Sequence, residues 1–196
     1  MIFSKFNKII YHKLNYFSMS RFALILLTVW AFFEASFWFI IPDFILLVLC
    51  MLNPKNYKKF FIFTILSSLI GITFYFLFVS NYPSISLNIL MNTPFINQNM
   101  IDSINTLYNN EGIVSSLWQT TTFFPVKVWT YQAALHNFDL FLYLFFLAIS
   151  RSIRMFIISF TFSFLGRKFN RFIRRNLLWM LIVYILVFFA ILFQVT

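Results

Sequence analysis

Residues 32–47 read FFEASFWFIIPDFILL, an apolar stretch that holds two acids, Glu34 and Asp43. The whole chain of 196 residues has only five Asp and Glu. A carboxylate in hydrocarbon costs about 2.5–3.5 kcal/mol or more, so one retained there is a functional-site candidate by default. The stretch belongs to a longer apolar run over 22–52, broken by Pro42. One helix needs about 20 apolar residues to cross a bilayer core, and proline cannot continue a helix without a kink. The run is too long for one simple crossing.

The rest of the chain sets the same class. It is 61% hydrophobic and 10% charged, where a soluble domain carries about a quarter charged residues. This describes an all-α integral membrane protein, one compact bundle in size. The net charge of +10 would raise nucleic acid as a partner for a soluble protein. Here the bases flank apolar runs, so lipid headgroups and topology account for them and no nucleic acid is expected. The single Cys50 excludes an internal disulfide or a thiolate cluster, and His12 and His136 are far apart, so neither metal nor other cofactor is expected. Nucleophile-elbow, P-loop, HExxH and dinucleotide signatures are absent, which argues against an enzyme.

Residues 1–20, with Lys5, Lys8 and Lys13, form a basic amphipathic segment, suited to the membrane surface rather than to cleavage as a signal peptide. Residues 60–80 are a plain apolar span. Residues 81–112 are Asn-rich and lack Lys and Arg, with Pro83 and Pro94 as breakers and an interfacial helix over 97–108. Residues 113–135 are mildly apolar, broken by Pro125, and hold Lys127. Residues 138–165 form a long helix holding Arg151 and Arg154 and ending at Gly166. The basic RKFNRFIRR (167–175) follows, then an uncharged span over 177–195. The organisation is an N-terminal segment (1–20), a membrane-embedded domain (21–176) and a C-terminal transmembrane helix (177–196).

Basic flanks face the cytoplasm. The run 22–52 lies between two of them and so enters and leaves on one side, as a re-entrant helical hairpin. Residues 60–80 cross outward, 113–135 dip in around Pro125, 138–165 cross inward, and the last span crosses outward. The expected fold is an inverted repeat: two re-entrant hairpins, each followed by a transmembrane helix. FWFIIPD (37–43) and TTFFPVK (121–127) are weakly alike. Inverted repeats with broken helices meeting at mid-membrane are a transporter design.

Five ionisable residues then lie in apolar surroundings: Glu34 and Asp43 from the first half, Lys127, Arg151 and Arg154 from the second. Packed face to face, the halves would bring opposite charges together. Arg151 and Arg154, three apart, share a helix face and are too deep to snorkel. A pair of forked guanidinium groups suits a phosphate, and Lys127 can add a point charge. Glu34 and Asp43 can neutralise the empty site and exchange protons. The same residues also fit a purely structural ion-pair set, with Asp43 capping a half-helix and Lys127 reaching outward. The five Trp residues read as packing or interface anchors. His136 reads as a helix start near the interface, without a role.

These motifs resemble the DedA family (VTT or SNARE-associated Golgi protein domain), nearest its shorter bacterial branch. FFEASFWFIIPDFILL followed by NPK, TTTFFPVKVWTYQAAL, and AISRSIRMFIISF ending in LGRKF carry the resemblance over about residues 25–175. Glu34 and Asp43 match the family's Glu and its Asp after Pro. Pro125, Lys127 and Thr130 match its second re-entrant motif. Ser150, Arg151 and Arg154 match its G-R-x-x-R pattern, with Ser in place of Gly. The resemblance implies a flippase or scramblase that moves the headgroup of an anionic or zwitterionic lipid, a polyprenyl phosphate or a phospholipid, across the bacterial inner membrane. It further implies coupling to protons. Arg151, Arg154 and Lys127 would bind substrate, and Glu34 and Asp43 would carry protons. A small-ion or proton-coupled transporter and a non-transporting membrane-homeostasis protein remain open, as do monomer and homodimer.

Overall fold

Ser20, Asn97 and Asp139 each open a helix with a side-chain cap. The computed structural model describes residues 2–37, 43–122 and 124–195, with side-chain surroundings from residue 7 to residue 187 within them. Helix α1 (Ile2–Ser18) gives way to α2 (Arg21–Ser36) at Ser20, whose backbone is extended and whose hydroxyl accepts from Ala23 N at 3.2 Å. That is an ordinary N-cap, and the chain bends by 81° there. Helix α3 (Asp43–Leu52) follows, then a 3₁₀ turn (Pro54–Asn56) leads into α4 (Tyr57–Asn81). Pro42 and Trp38, and the turn expected at Pro42, lie outside the described residues.

Helices α5 (Pro83–Met91) and α6 (Gln98–Glu111) form the next segment. The break expected at Pro83 is present, since α4 ends at Asn81, and Pro83 then starts α5, whose first turn needs no N–H from it. Asn97 caps α6 through its side chain, and Gly112 ends it at φ 65°, in the left-handed region that glycine tolerates. A 3₁₀ segment (Gly112–Thr120) and α7 (Val126–Leu135) complete the span 113–135. Helix α8 (Leu140–Lys168), capped by Asp139, and α9 (Asn170–Val195), broken at Asn176, end the fold. The described residues contain helices and no strand.

Two expectations fail. Gly166 does not end α8, which runs on to Lys168. Its missing side chain serves packing instead: a Cβ there would lie 2.3 Å from the Met51 carbonyl oxygen of α3. His136 closes α7 rather than opening a helix, and its Nε2 meets Asn105 Oδ1 at 2.9 Å.

Helices α4 and α8 are long and apolar enough to cross a membrane, and the bent pair α1–α2 would make a third such span. Only 39% and 28% of the two long apolar windows are buried within the protein, so most of their surface faces outward. On α4 the exposed set includes Ile62, Leu66, Ile70, Phe74 and Leu77, and on α8 Phe145, Ile149, Ile153, Phe156 and Phe160. An outside as apolar as the inside is stable in lipid and not in water. This is a membrane protein.

Packing is cross-wise. Helix α2 lies along α4, and the 3₁₀ segment lies along α8; α3 in turn packs on α8, and α7 on α4. Helices α4 and α8 touch each other between them. The ends of the first apolar run meet, since Asn53 Nδ2 donates to the Ser18 carbonyl at 3.1 Å. The ends of the second are both held by α6: Tyr108 bonds Ser116 Oγ at 3.1 Å, and Gln132 donates to the Ile101 carbonyl at 3.1 Å.

Three basic segments converge at one end. Arg167 donates to the Pro54 carbonyl at 3.0 Å and lies over the Tyr57 ring, while Asn7 of α1 donates to the Arg175 carbonyl at 2.6 Å. The exposed Lys and Arg among the described residues all lie in α1, at the start of α2, in 55–59 and in 167–175. No Asp or Glu falls in those segments.

Candidate functional site

Glu34 sits two residues before the end of α2, among Ala31, Ala35 and Ser36, all buried. These small side chains let α2 approach α4 closely. Gly71 of α4 completes the contact, since a Cβ there would lie 2.5 Å from the Phe32 carbonyl oxygen. Ser67 Oγ donates to the Thr28 carbonyl at 2.5 Å one turn away. With its own helix pinned, Glu34 reaches across to α8 and accepts from Arg151 Nη2 at 3.0 Å. Both side chains are more than nine-tenths buried, at 7% and 4% exposure.

Asp43 opens α3, where a carboxylate complements the positive end of the helix. Its Oδ2 accepts from Arg154 Nε at 3.0 Å and from Nη2 of the same guanidinium. Arg154 is somewhat more open than Arg151. Neighbouring residues on one face of α8 therefore hold both helical arms of the first apolar run, one acid each. The nine-residue spacing of the acids works because a helix break lies between them.

Lys127 lies in the first turn of α7 and is buried at 2% exposure. It is near enough to Glu34 to feel the carboxylate charge. Where Asp43 offsets the positive end of α3, Lys127 adds to that of α7. Three cations and two carboxylates thus share one buried region, leaving one positive charge in excess.

Hydrogen bonding there is incomplete. Asp43 Oδ1 and Arg151 Nε are buried and meet no hydrogen-bond partner among the described residues. Among the described residues an acceptor and a donor are therefore unused within the site.

The structure adds residues that sequence reasoning did not single out. Tyr143 is buried beside Arg151, its hydroxyl 2.9 Å from Thr130 Oγ1. Tyr184 of α9 lies by the Asp43–Arg154 pair, its ring 5.5 Å from that of Phe44. Neither carries a sequence signal, since both are aromatics in apolar runs rich in aromatics. Ser150 packs α8 on the 3₁₀ segment: its hydroxyl donates to the Leu117 carbonyl at 2.9 Å, and Thr120 Oγ1 donates to the Ser150 carbonyl at 2.5 Å. Among the Trp residues, Trp129 is wholly buried, while Trp118 is exposed and donates to Glu111 Oε2 at 2.8 Å.

The two ion pairs balance the guanidinium charges within the site, and the Lys127 ammonium leaves the region one positive charge in excess. No family model, curated protein or solved structure matches the chain.

Proposed function

We propose that this chain is a lipid translocase of the DedA kind, a flippase or scramblase for a phosphate-bearing headgroup in the bacterial inner membrane. The observation that carries the reading is the pair of buried acid–arginine contacts, Glu34–Arg151 and Asp43–Arg154, joined by Lys127 with one positive charge in excess. Groups this costly to bury persist where a protein uses them. A phosphate brings the negative charge that the region lacks, and its oxygens can accept from a guanidinium fork.

The cross-wise packing supports an inverted repeat. The first arm of each half lies on that half's own long helix, and the second arm lies on the long helix of the other half. The Asn53–Ser18 bond supports a hairpin that returns to its starting side. The basic end supports an orientation with α1, 55–59 and 167–175 in the cytoplasm. In this reading the headgroup passes through the polar region between the halves while the tails stay in lipid. Arg151, Arg154 and Lys127 bind the phosphate. Glu34 and Asp43 take up protons as it arrives and reclaim the bases as it leaves.

The test is reconstitution into liposomes with a headgroup-labelled phospholipid or polyprenyl phosphate, followed by quenching of the label on one face. Wild type should expose the label faster than protein-free vesicles, and Arg154→Ala should slow it about tenfold or more, the loss of a charge-assisted contact to substrate. Equal rates for wild type and Arg154→Ala would remove Arg154 from the site.

A further inference from the structure

The two first arms sit on their long helices in the same register. In one, a Cβ on Gly71 would meet the Phe32 carbonyl oxygen at 2.5 Å and Ala35 Cβ at 3.1 Å. In the other, Ser150 stands in that place: its hydroxyl donates to the Leu117 carbonyl at 2.9 Å and accepts from Thr120 N at 3.2 Å. Residues 32 and 35 thus correspond to 117 and 120, and Gly71 corresponds to Ser150. Counting along each helix, Glu34 corresponds to Gln119, Arg151 to Ile72, and Arg154 to Tyr75.

The two polar counterparts share an unusual state. Gln119 and Tyr75 are buried at 3% and 1% exposure, yet Gln119 Oε1 and the Tyr75 hydroxyl have no hydrogen-bond partner among the described residues. A folded protein gains nothing from a buried polar atom left unpaired. Tyr75 lies beside the charged region, and Gln119 is assigned to it by its correspondence with Glu34. The Tyr75 ring lies 6.1 Å from that of Phe37, three residues past Glu34. Tyr75 also lies near Tyr131 of α7, and Lys127 is one turn earlier on the same face of that helix.

We propose that Gln119 and Tyr75, with Lys127 beside them, form a second station for the lipid headgroup, equivalent by internal symmetry to the arginine–carboxylate station. This rests on the translocase reading above. The ligand is a phosphate-bearing headgroup with a donor of its own, an ammonium or a hydroxyl. Its phosphate accepts from Tyr75 and Lys127, and its donor bonds Gln119 Oε1. The arginine station leaves a matching donor and acceptor unused, Arg151 Nε and Asp43 Oδ1, so one headgroup can satisfy both stations in turn.

Tyr75→Phe and Gln119→Leu, singly and together, test this in vesicles carrying a headgroup-labelled phospholipid, alongside wild type and Arg154→Ala. The double variant should move label at least about tenfold more slowly, roughly the loss of one hydrogen bond to substrate per residue. Its melting temperature should not fall, because neither substitution removes a hydrogen bond made among the described residues. A rate within about twofold of wild type would overturn the station. So would a clear drop in melting temperature, even with Tyr75→Phe alone, because the polar atoms would then have structural partners. If wild type is active, Arg154→Ala inactive and the double variant active, only the second station falls. If wild type matches protein-free vesicles, the translocase reading falls and takes the station with it.

Discussion

Removing Glu34 should harm the fold more than removing the arginine it binds. Arg151 Nη2 and Glu34 Oε2 are 3.0 Å apart, with both side chains more than nine-tenths buried. Breaking such a pair from one side costs about 3–5 kcal/mol, most of it from the charge left behind. Glu34→Gln leaves Arg151 without its carboxylate and Lys127 without the nearest one, so three cations share Asp43 alone. Arg151→Met leaves Glu34 with Lys127 still close. The first change should therefore sit at the upper end of that range and the second at the lower end or below. For a chain of this size each kcal/mol moves the melting temperature by about 2–4 °C, so Glu34→Gln should lower it by about 10 °C or more. Replacing both, Glu34→Leu with Arg151→Met, removes the charges and their desolvation cost together and should recover most of the loss.

The assay is thermal unfolding in detergent, followed by size-exclusion recovery after heating. Two results would refute the reasoning. One is a Glu34→Gln variant that melts within about 2 °C of wild type, which would mean the pair contributes less than about 1 kcal/mol. The other is a double variant as unstable as the sum of the singles, which would mean the residues act independently. The double variant also separates structure from transport. A stable protein that has lost translocation would show that the charges serve the substrate, whereas a stable and active one would favour ion-pair staples.

Two further outcomes are expected. Gly166→Ala should destabilise by about 1–3 kcal/mol, seen as a lower melting temperature, because its Cβ would lie 2.3 Å from the Met51 backbone oxygen and force α3 away from α8; an unchanged melting temperature would mean the two helices slide apart freely. On a Cys50→Ser background, which removes a buried thiol, a cysteine at Lys58 should react with an impermeant maleimide only after the cells are opened, and one at Asn110 should react in intact cells; the reverse pattern would invert the topology.

How far the sequence could be read depended on the kind of signal. Charges in apolar runs are conspicuous, so Glu34, Asp43, Lys127, Arg151 and Arg154 are legible as candidates from the sequence alone. Which acid meets which base did not, because that depends on how α2 and α3 lie against α8. Gly166 looked like a helix end because glycine commonly follows one, but a close approach by α3 also demands glycine, and local sequence does not separate the two. Pro83 was legible as a break between helices, since proline ends one helix readily and begins the next. Gln119, Tyr75, Tyr143 and Tyr184 carried no signal at all. Polar but uncharged, they are cheap enough in many settings that only their surroundings set them apart: burial with unmet or shared hydrogen bonds for Gln119, Tyr75 and Tyr143, and nearness to the Asp43–Arg154 pair for Tyr184.

The placement of the two ion pairs bears on how such a site would work. Both arginines belong to α8, while both acids belong to the helical arms of the first run. Any rocking of one half against the other must stretch both contacts together. In the proposed translocase with an empty site, that motion would separate buried charges at a cost of several kcal/mol, which would hold the halves in one arrangement. A phosphate that takes over the guanidinium donors would replace the carboxylates. Movement would then be cheap only when substrate is present. A protein that leaked ions when empty would be costly to a cell, and the same two bonds that make the site attractive to an anion would keep it closed without one.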